Sequence, residues 1–300
     1  MYAIILCSYT WIFLYLDINN VEEANMKKIG LCLSGGGAKG AYQVGAVKAL
    51  DDLGIFAKIS AFSGTSIGSV NTVMITSTSI DYAKDLWLNI SENPLESTST
   101  LREKIKVSKF KLIQNGLYSM DSLDQLLKEH IIFDHLKQKE VYITVSEIGE
   151  ENKGFFELFK STYKHFVRHD SKVQYIPLSK LSDSDMIEAV KASCSIPIVF
   201  PAVISDNKKY YDGGIFDTTP IHPLAEALCD LVILINISFE SRFNLPKRHY
   251  SNVKIIEIRP SDDMGKVLDF TNQHSKHLYD MGYQDTITFF KDDEVLALFK

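Results

Sequence analysis

A serine flanked by glycines stands where a short apolar run gives way to a helical pattern. The segment Gly64-Thr65-Ser66-Ile67-Gly68 satisfies the GxSxG pattern of a nucleophile elbow, a sharp strand-to-helix turn that exposes a serine hydroxyl. Glycines two positions either side of Ser66 let the strand and the helix approach around a strained serine backbone. The pattern is common by chance, but its place between a predicted strand and a predicted helix favours a nucleophilic Ser66.

A second glycine-rich segment, Ser34-Gly35-Gly36-Gly37-Ala38-Lys39-Gly40, follows the first predicted strand and matches GxGxxG. A dinucleotide site would need an acidic residue about 20 positions on, and the second strand offers none. A P-loop would end in Gly-Lys-Ser/Thr, which is absent. Backbone N–H groups at a helix N-terminus nevertheless bind anions. Acyl transfer by Ser66 would create an oxyanion, so this loop is predicted to hold it, the alternative being a tight turn.

A serine hydroxyl needs a neighbouring group that takes its proton. Histidine is the usual partner, and of the eight histidines only His222 lies near a motif. That motif, Tyr210-Tyr211-Asp212-Gly213-Gly214, offers Asp212 as the other candidate, held at a strand end so as to face the same crevice. An Asp-Gly-Gly sequence is also an ordinary turn. The residues alone therefore leave Asp212, His222 and a purely structural turn open.

The elements that must position these residues alternate between short apolar runs and amphipathic stretches, as in strand–helix–strand units around a parallel sheet. Asp81 is expected to cap one helix and Ser182 or Asp183 another, while Gly54 ends the first. In such open sheets ligands bind at the carboxyl ends of the strands. The predicted strands are 29–33, 55–63, 141–145, 231–237 and 253–258, and the main predicted helices are 42–53, 67–75, 119–132, 183–192 and 263–290.

Three motifs in this order, GGGAKG, GTSIG and DGG, resemble the patatin-like phospholipase family, as does the segment from Ala192 to Pro201. The resemblance covers roughly residues 28–258. It implies an α/β fold, a three-layer α/β/α sandwich with a mainly parallel central sheet, and a dyad in which Ser66 is the nucleophile and Asp212 its partner. It also implies that the backbone amides of Gly35, Gly36, Gly37 and Ala38 bind the oxyanion, with Lys39, Gly40, Gly64, Gly68, Gly213 and Gly214 supporting the motifs.

The substrates of that family are acyl lipids. The resemblance thus implies a lipid acyl hydrolase of the phospholipase A or lysophospholipase type that uses an acyl-serine intermediate and no cofactor or metal. An ordinary aspartate, with a pKa near ~3.9, is a weak base, so we expect burial to raise the pKa of Asp212. The alternatives are a thioesterase or carboxylesterase on the same dyad, and a catalytically silent lipid-binding protein.

Composition excludes several classes of protein. The 300 residues are 45% hydrophobic and carry 32 basic against 38 acidic side chains, which is typical of a soluble globular chain. Nucleic-acid binding is disfavoured because a net charge of −6 gives no overall positive field. The four cysteines are far apart and lack metal-ligand spacing, so they are expected to be isolated, mostly buried thiols in a reducing compartment.

The chain is expected to comprise a hydrophobic N-terminal extension over 1–25, a catalytic domain over 26–260 and a mainly helical C-terminal extension over 261–300. The apolar run at 2–16 is short for a membrane span of about 20 residues. A true start at Met26 is the favoured explanation, with a degenerate signal or an anchor as the alternative. We expect a cytoplasmic location.

A strip from Lys104 to Ile113 alternates lysines with apolar residues. It could contact an anionic membrane peripherally, the alternative being an edge strand or a solvated loop. Phe155, Phe156 and Phe159 are expected to pack in the core, or alternatively to line an acyl channel.

Overall fold

The computed structural model describes residues 28–89, 120–148, 172–197, 200–205, 208–238, 250 and 252–299, together with strands at 6–7 and 10–11. The strip at 104–113, the phenylalanines at 155, 156 and 159, and most of the N-terminal extension lie outside these residues. The predictions made for them therefore stay predictions.

Ten strands are described, of which eight form one sheet in the order β10-β9-β3-β4-β5-β8-β7, with β6 paired to β5. Neighbours from β10 to β5 are parallel, whereas β6, β7 and β8 join by antiparallel pairing. The short strands β1 and β2 pair only with each other. The bounds are β1 (Leu6–Cys7), β2 (Thr10–Trp11), β3 (Ile29–Leu33), β4 (Ile59–Thr65), β5 (Glu140–Ile148), β6 (Lys172–Pro177), β7 (Val203–Ser205), β8 (Lys208–Asp212), β9 (Leu231–Ile235) and β10 (Lys254–Ile258).

Nine α-helices are described, and short 3₁₀ turns at Gly37–Lys39 and Gly213–Ile215 mark two of the predicted motifs. The helices are α1 (Gly40–Asp52), α2 (Ile67–Ser77), α3 (Ile80–Leu88), α4 (Asp121–His130), α5 (Phe133–Lys137), α6 (Asp183–Ser193), α7 (His222–Glu226), α8 (Asn272–Phe289) and α9 (Asp293–Ala297).

The sheet is covered on both faces. In β9 every residue is buried, with Ile233 and Ile235 on one face and Val232 and Leu234 on the other, because successive side chains of a strand point in opposite directions. The first face packs on most of the helices, from α1 to α9, and the second on a smaller layer that includes α7. The predicted three-layer α/β/α fold with a mainly parallel sheet is confirmed.

The C-terminal helix α8 packs closely on α1 because each helix presents a glycine to the other. A Cβ atom at Gly45 would lie 2.0 Å from the carbonyl oxygen of Tyr279, and one at Gly282 would lie 2.1 Å from that of Tyr42. The Tyr42 hydroxyl also donates to Asp285 Oδ2 at 3.0 Å. The helix that carries the glycine-rich loop is thus fixed to the C-terminal part of the chain.

Three local predictions were wrong. Residues 56–58 form a 3₁₀ turn and β4 begins only at Ile59, so the apolar run is not all strand. The cap of α3 is Ser79, whose hydroxyl accepts from the Tyr82 amide, and Asp81 lies in the first turn. The C-terminal helix begins at Asn272 rather than near 263, because Thr271 caps it and the preceding residues pack irregularly over the glycine-rich loop.

Candidate active site

Ser66 occupies a strained turn between β4 and α2. Its backbone has φ 56° and ψ −124°, a conformation that non-glycine residues rarely adopt and that concentrates at functional sites. A Cβ atom at Gly64 would lie 2.4 Å from the carbonyl oxygen of Gly68, and one at Gly68 would lie 2.2 Å from that of Leu33. Only glycine therefore allows the strand and the helix to meet this closely.

Asp212 reaches the same place at the end of the antiparallel strand β8. Thr65 of β4 pairs with Thr144 of β5, and Asp212 of β8 pairs with Val145, the next residue of β5. Strand β6 occupies the other side of β5 over residues 142–147, so β4 and β8 lie end to end along one side of β5. The residue after Thr65 is Ser66, so the two candidate catalytic residues meet where these two strands end. The glycine after Asp212 lies against β5 as well, since a Cβ atom at Gly213 would be 2.4 Å from the Thr144 carbonyl oxygen.

The Asp212 carboxyl group is buried, with only 6% of the residue exposed. Burial raises its pKa from 3.8 to about 6, against the opposing effects of hydrogen bonds from the Ser66 hydroxyl and the Gly214 amide. The Gly214 amide donates to Asp212 Oδ1 at 2.7 Å. The structure therefore brings Ser66 and Asp212 together and holds the carboxyl group in a setting that strengthens it as a base.

The glycine-rich loop lies beside Ser66. A Cβ atom at Gly35 would be 3.5 Å from Cβ of Ser66, and Gly37 lines the same cavity as Ser66. Two of the four amides predicted to bind an oxyanion already have backbone acceptors: Gly35 donates to the Thr218 carbonyl at 2.9 Å and Ala38 to the Val267 carbonyl at 2.7 Å. Among the described residues no acceptor is found for the amides of Gly36 and Gly37, which leaves these two for a ligand.

Two further motif residues flank this loop. Helix α1 packs closely on α2 and α3 at Gly40. A Cβ atom at Gly40 would lie 2.6 Å from the Ile67 side chain of α2 and 2.7 Å from the Trp87 side chain of α3. Lys39 is the last residue of the 3₁₀ turn and is half-buried beside the loop.

An apolar cavity of about 180 Å³ opens from Ser66. Helix α2 forms one wall with Ile67, Val70 and Met74, which lie on successive turns leading away from the serine. Almost all of its wall is hydrocarbon, as an acyl chain requires. The remaining lining residues are Gly37, Asn71, Ala83, Leu86, Trp87, Met120, Leu123, Leu126, Cys194, Ile196, Phe200, Leu268 and Phe270.

His222 does not join this site. It begins α7 in the opposite layer, and its Nε2 atom lies 3.1 Å from Glu226 Oε1. Its ring packs against Tyr175 and Tyr250. The structure thus gives no support to the alternative in which His222 completes a triad with Ser66.

Two features of the site were not predicted from the sequence. Residues 264–270, here called the strap, pass over the glycine-rich loop and contribute Leu268 and Phe270 to the cavity. The end of α6, at Ser193, contacts the Ser66 backbone. The segment from Ala192 to Pro201 was noted for its resemblance alone, and nothing in its residue types indicated this contact.

The described residues show neither a membrane-spanning helix nor a metal site. Within the described ranges, no helix is both long and apolar enough to cross a bilayer. In the same residues no group of three or more His, Cys, Asp or Glu side chains is arranged to hold a metal ion. Cys32, Cys194 and Cys229 are free thiols, and burial raises the pKa of each.

The fold is an α/β sandwich, and at one edge of its sheet lie a nucleophile elbow, a buried aspartate and a glycine-rich loop. This combination is typical of serine hydrolases. The family model described as patatin-like phospholipase matches residues 31–225, and the chain belongs to this family. Family and relatives together support lipid ester hydrolysis.

Relatives are found in viruses and fungi. A probable lipid hydrolase, 463L of Invertebrate iridescent virus 6, is 25% identical over 84% of this chain and 85% of its own length. An uncharacterized protein, R571 of Acanthamoeba polyphaga mimivirus, is 31% identical over 73% of this chain and 67% of its own. Lysophospholipase NTE1 of Cryptococcus neoformans is 24% identical over 69% of this chain, which spans only 11% of that much longer protein.

Solved structures share the fold. VipD from Legionella pneumophila superposes with a TM-score of 0.51 at 15% identity, covering 88% of this chain and 67% of VipD. Human GIVD cytosolic phospholipase A2 also gives a TM-score of 0.51, at 10% identity, covering 93% of this chain and 61% of the human protein. At such low identity the likeness concerns the fold alone.

Proposed function

We propose that this protein hydrolyses the carboxylic ester of an acyl lipid through an acyl-serine intermediate, with Ser66 as nucleophile and Asp212 as general base. The observation that carries the proposal is the buried Asp212 carboxyl group, with a pKa of about 6, facing a serine at φ 56° at one end of an apolar cavity. The relatives named probable lipid hydrolase, in a virus, and lysophospholipase, in a fungus, support this activity.

In the first half-reaction, Oγ of Ser66 attacks the ester carbonyl carbon while Asp212 accepts the hydroxyl proton. The carbonyl π electrons move to the oxygen, giving a tetrahedral oxyanion. When the oxyanion collapses, the bond to the alkoxy oxygen breaks, and the leaving alcohol takes the proton from Asp212. Above pH 6 the carboxylate is ionised and can accept the proton, and its raised pKa makes it a better base than an exposed aspartate.

The oxyanion would be bound by the Gly36 and Gly37 amides. Both belong to the loop beside Ser66, and among the described residues neither has an acceptor. The amides of Gly35 and Ala38 serve instead to hold the loop, through the Thr218 and Val267 carbonyls. Donors fixed in this way before the reaction need no reorganisation in the transition state, and losing one typically costs ~10²–10³ in rate.

In the second half-reaction a water molecule attacks the acyl-Ser66 ester as Asp212 takes its proton. The new tetrahedral oxyanion collapses, the bond to Oγ breaks, and the proton returns to the serine as the fatty acid leaves. The apolar cavity would hold the acyl chain throughout, since its wall includes Val70 and Met74. Leu268 lines the cavity and is 44% exposed, so the strap lies where a chain would enter from a lipid surface.

The test is release of fatty acid from lysophosphatidylcholine and from diacyl phosphatidylcholine vesicles, measured by mass spectrometry with purified protein. We expect release by the wild type and none by Ser66→Ala. Ser275→Ala is the matched control because it also removes a buried serine hydroxyl, in this case one without a partner in the described part of the chain. Equal release by Ser66→Ala would refute the proposal, and no release by any form would favour a lipid-binding protein.

A further inference from the structure

We propose that Ser193 is a positioning residue. Residues 193–195, at the end of α6, hold the backbones of Ser66 and Asp212 in the relative positions that the reaction requires. This inference deepens the proposed function and depends on it. The segment contacts Ser66 through the Ser193 side chain and Asp212 through the Ser195 carbonyl. Neither contact involves a reacting atom, so the role is to position and not to catalyse.

A chain of three buried hydrogen bonds spans the elbow. The Ser66 amide donates to Oγ of Ser193 at 2.9 Å, Oγ of Ser193 lies 2.7 Å from Oγ of Ser69, and Oγ of Ser69 donates to the Gly64 carbonyl at 2.9 Å. The direction of the chain follows from the donor inventory. Ser69 gives its single hydroxyl proton to Gly64, so Ser193 must donate to Ser69 while it accepts from Ser66.

The consequence is that the two ends of the strained turn are tied together. The chain starts at the amide of Ser66 and ends at the carbonyl of Gly64, two residues before it. Ser69 and Ser193 are fully buried, so no water competes for these bonds. A non-glycine residue at φ 56° persists only where its surroundings fix it, and this chain supplies one of the fixing contacts.

The same segment fixes the other dyad member. The Asp212 amide donates to the Ser195 carbonyl at 3.0 Å, and Oγ of Ser195 in turn donates to the Lys191 carbonyl within α6 at 2.8 Å. The residues that hold Ser66 and Asp212, Ser193 and Ser195, are therefore only two positions apart at the end of one helix. A shift of this helix end would move nucleophile and base together, whereas loss of the Ser193 hydroxyl would release only the nucleophile.

The contact also has a chemical corollary. Because the Ser66 amide is used to hold the elbow, it is not free to bind the oxyanion. That task is left to the glycine-rich loop. The division separates the group that positions the nucleophile from the groups that stabilise the charge.

The test compares Ser193→Ala with Ser193→Thr, which keeps a hydroxyl, and with the control Ser275→Ala. Displacements of about 1 Å at a reacting group cost on the order of 10²-fold in rate. We therefore expect kcat of Ser193→Ala to fall by about 10–100-fold with KM within about twofold, and Ser193→Thr to recover a large part. Equal kcat values for Ser193→Ala and wild type would overturn the inference.

A second readout separates positioning from general destabilisation. The Ser66 hydroxyl lowers the Asp212 pKa, so displacing Ser66 should move the acid limb of the pH–rate profile of Ser193→Ala to higher pH. A merely structural role would lower the melting temperature and leave that limb in place. Such a result, with kcat restored at a lower temperature, would contradict positioning.

A third measurement does not depend on turnover. Hydrogen exchange of the Ser66 amide reports the bond to Ser193 directly, and we expect at least tenfold faster exchange in Ser193→Ala than in Ser275→Ala. If the wild type releases no fatty acid, the proposed function fails. The exchange rate still tests whether Ser193 holds the Ser66 backbone. Equal exchange rates in the two variants would refute the positioning role of Ser193, whatever the activity.

Discussion

Asp212 of β8 pairs with Val145 of β5, one position beyond the β5 partner of Thr65. This register fixes the distance between the two candidate catalytic residues, because β4 and β8 end next to each other along the same side of β5. Because side chains alternate along a strand, a slip of one residue in β8 would turn the carboxyl group to the opposite face of the sheet. Strand β8 runs antiparallel to β5 and ends where β4 ends, and this is what brings a base to the nucleophile.

The pH dependence of turnover should follow the ionisation of Asp212. The pKa of its carboxyl group is raised to about 6, and only the ionised form can accept the Ser66 proton. We expect kcat/KM to be constant above about pH 7 and to fall about tenfold per pH unit well below 6. The measurement is a pH–rate profile with a neutral or zwitterionic substrate. A flat profile down to pH 4.5 would show that this carboxyl group is not the base.

Asp212→Asn should stabilise the protein while it abolishes turnover. The native pKa of about 6 lies above the ordinary value of 3.8, so the aspartate costs nothing below pH 3.8 and lowers stability as the pH rises through 6. The penalty is at most about 3 kcal/mol at pH 8. The asparagine Oδ1 atom can still accept from the Gly214 amide.

Urea unfolding at pH 8 and near pH 4 tests this. We expect the variant to exceed the wild type in free energy of unfolding at pH 8 and the difference to shrink towards pH 4. A variant that is less stable than the wild type at pH 8 would contradict this prediction, since contacts with the ionised carboxylate would then outweigh its burial.

Gly37→Ala and Gly54→Ala form a matched pair that probes the strap. Both glycines are left-handed, with φ +60° and +69°, so alanine adds about 1–2 kcal/mol of backbone strain at either position. Only at Gly37 would the new Cβ atom also meet the Val267 carbonyl oxygen, at 2.3 Å, whereas nothing lies within 4 Å at Gly54. We expect Gly54→Ala to keep its activity and Gly37→Ala to lose most of it. Equal activities in the two purified variants would argue against a role in catalysis for the glycine-rich loop and for the strap that packs on it.

The acyl cavity predicts a change in chain-length preference. Val70 and Met74 lie one and two turns along α2 from Ser66, about 6 and 12 Å at 1.5 Å per residue. Val70→Phe should therefore lose activity on acyl chains from a shorter length upwards than Met74→Phe does. Both variants should still cleave an acetyl ester. A series of p-nitrophenyl esters measures the preference. Parallel loss at every chain length, acetate included, would indicate misfolding or a chain bound elsewhere.

The motifs and the main elements could be predicted because their signals are local. Strand β3 is predicted with its observed bounds, and helix α2 begins at the predicted Ile67, since apolar runs and glycine punctuation depend only on neighbouring residues. The steric need for glycine at positions 64 and 68 also follows from the turn type. The presence of Asp212 at a strand end facing the crevice follows from the Asp-Gly-Gly sequence once the family resemblance is noted.

The rest depends on contacts between distant parts of the chain. The strap was expected to be helical, yet its Val267 carbonyl accepts the Ala38 amide instead of continuing a helix. The role of Ser193 follows from one hydrogen bond to a residue in another element, and a serine before a cysteine carries no sign of it. The division of the four loop amides, two used for structure and two free of acceptors in the described residues, likewise needs coordinates.

Ser66 is proposed to be an activated nucleophile because Asp212 takes its proton. Intact-protein and peptide mass spectrometry after reaction with a fluorophosphonate tests it most directly, with wild type, Asp212→Asn and Ser66→Ala compared at pH 8. We expect one adduct on the peptide that contains Ser66, labelling slower by at least 10²-fold in Asp212→Asn, and no adduct in Ser66→Ala. An adduct on another residue, or equal labelling rates for wild type and Asp212→Asn, would contradict it.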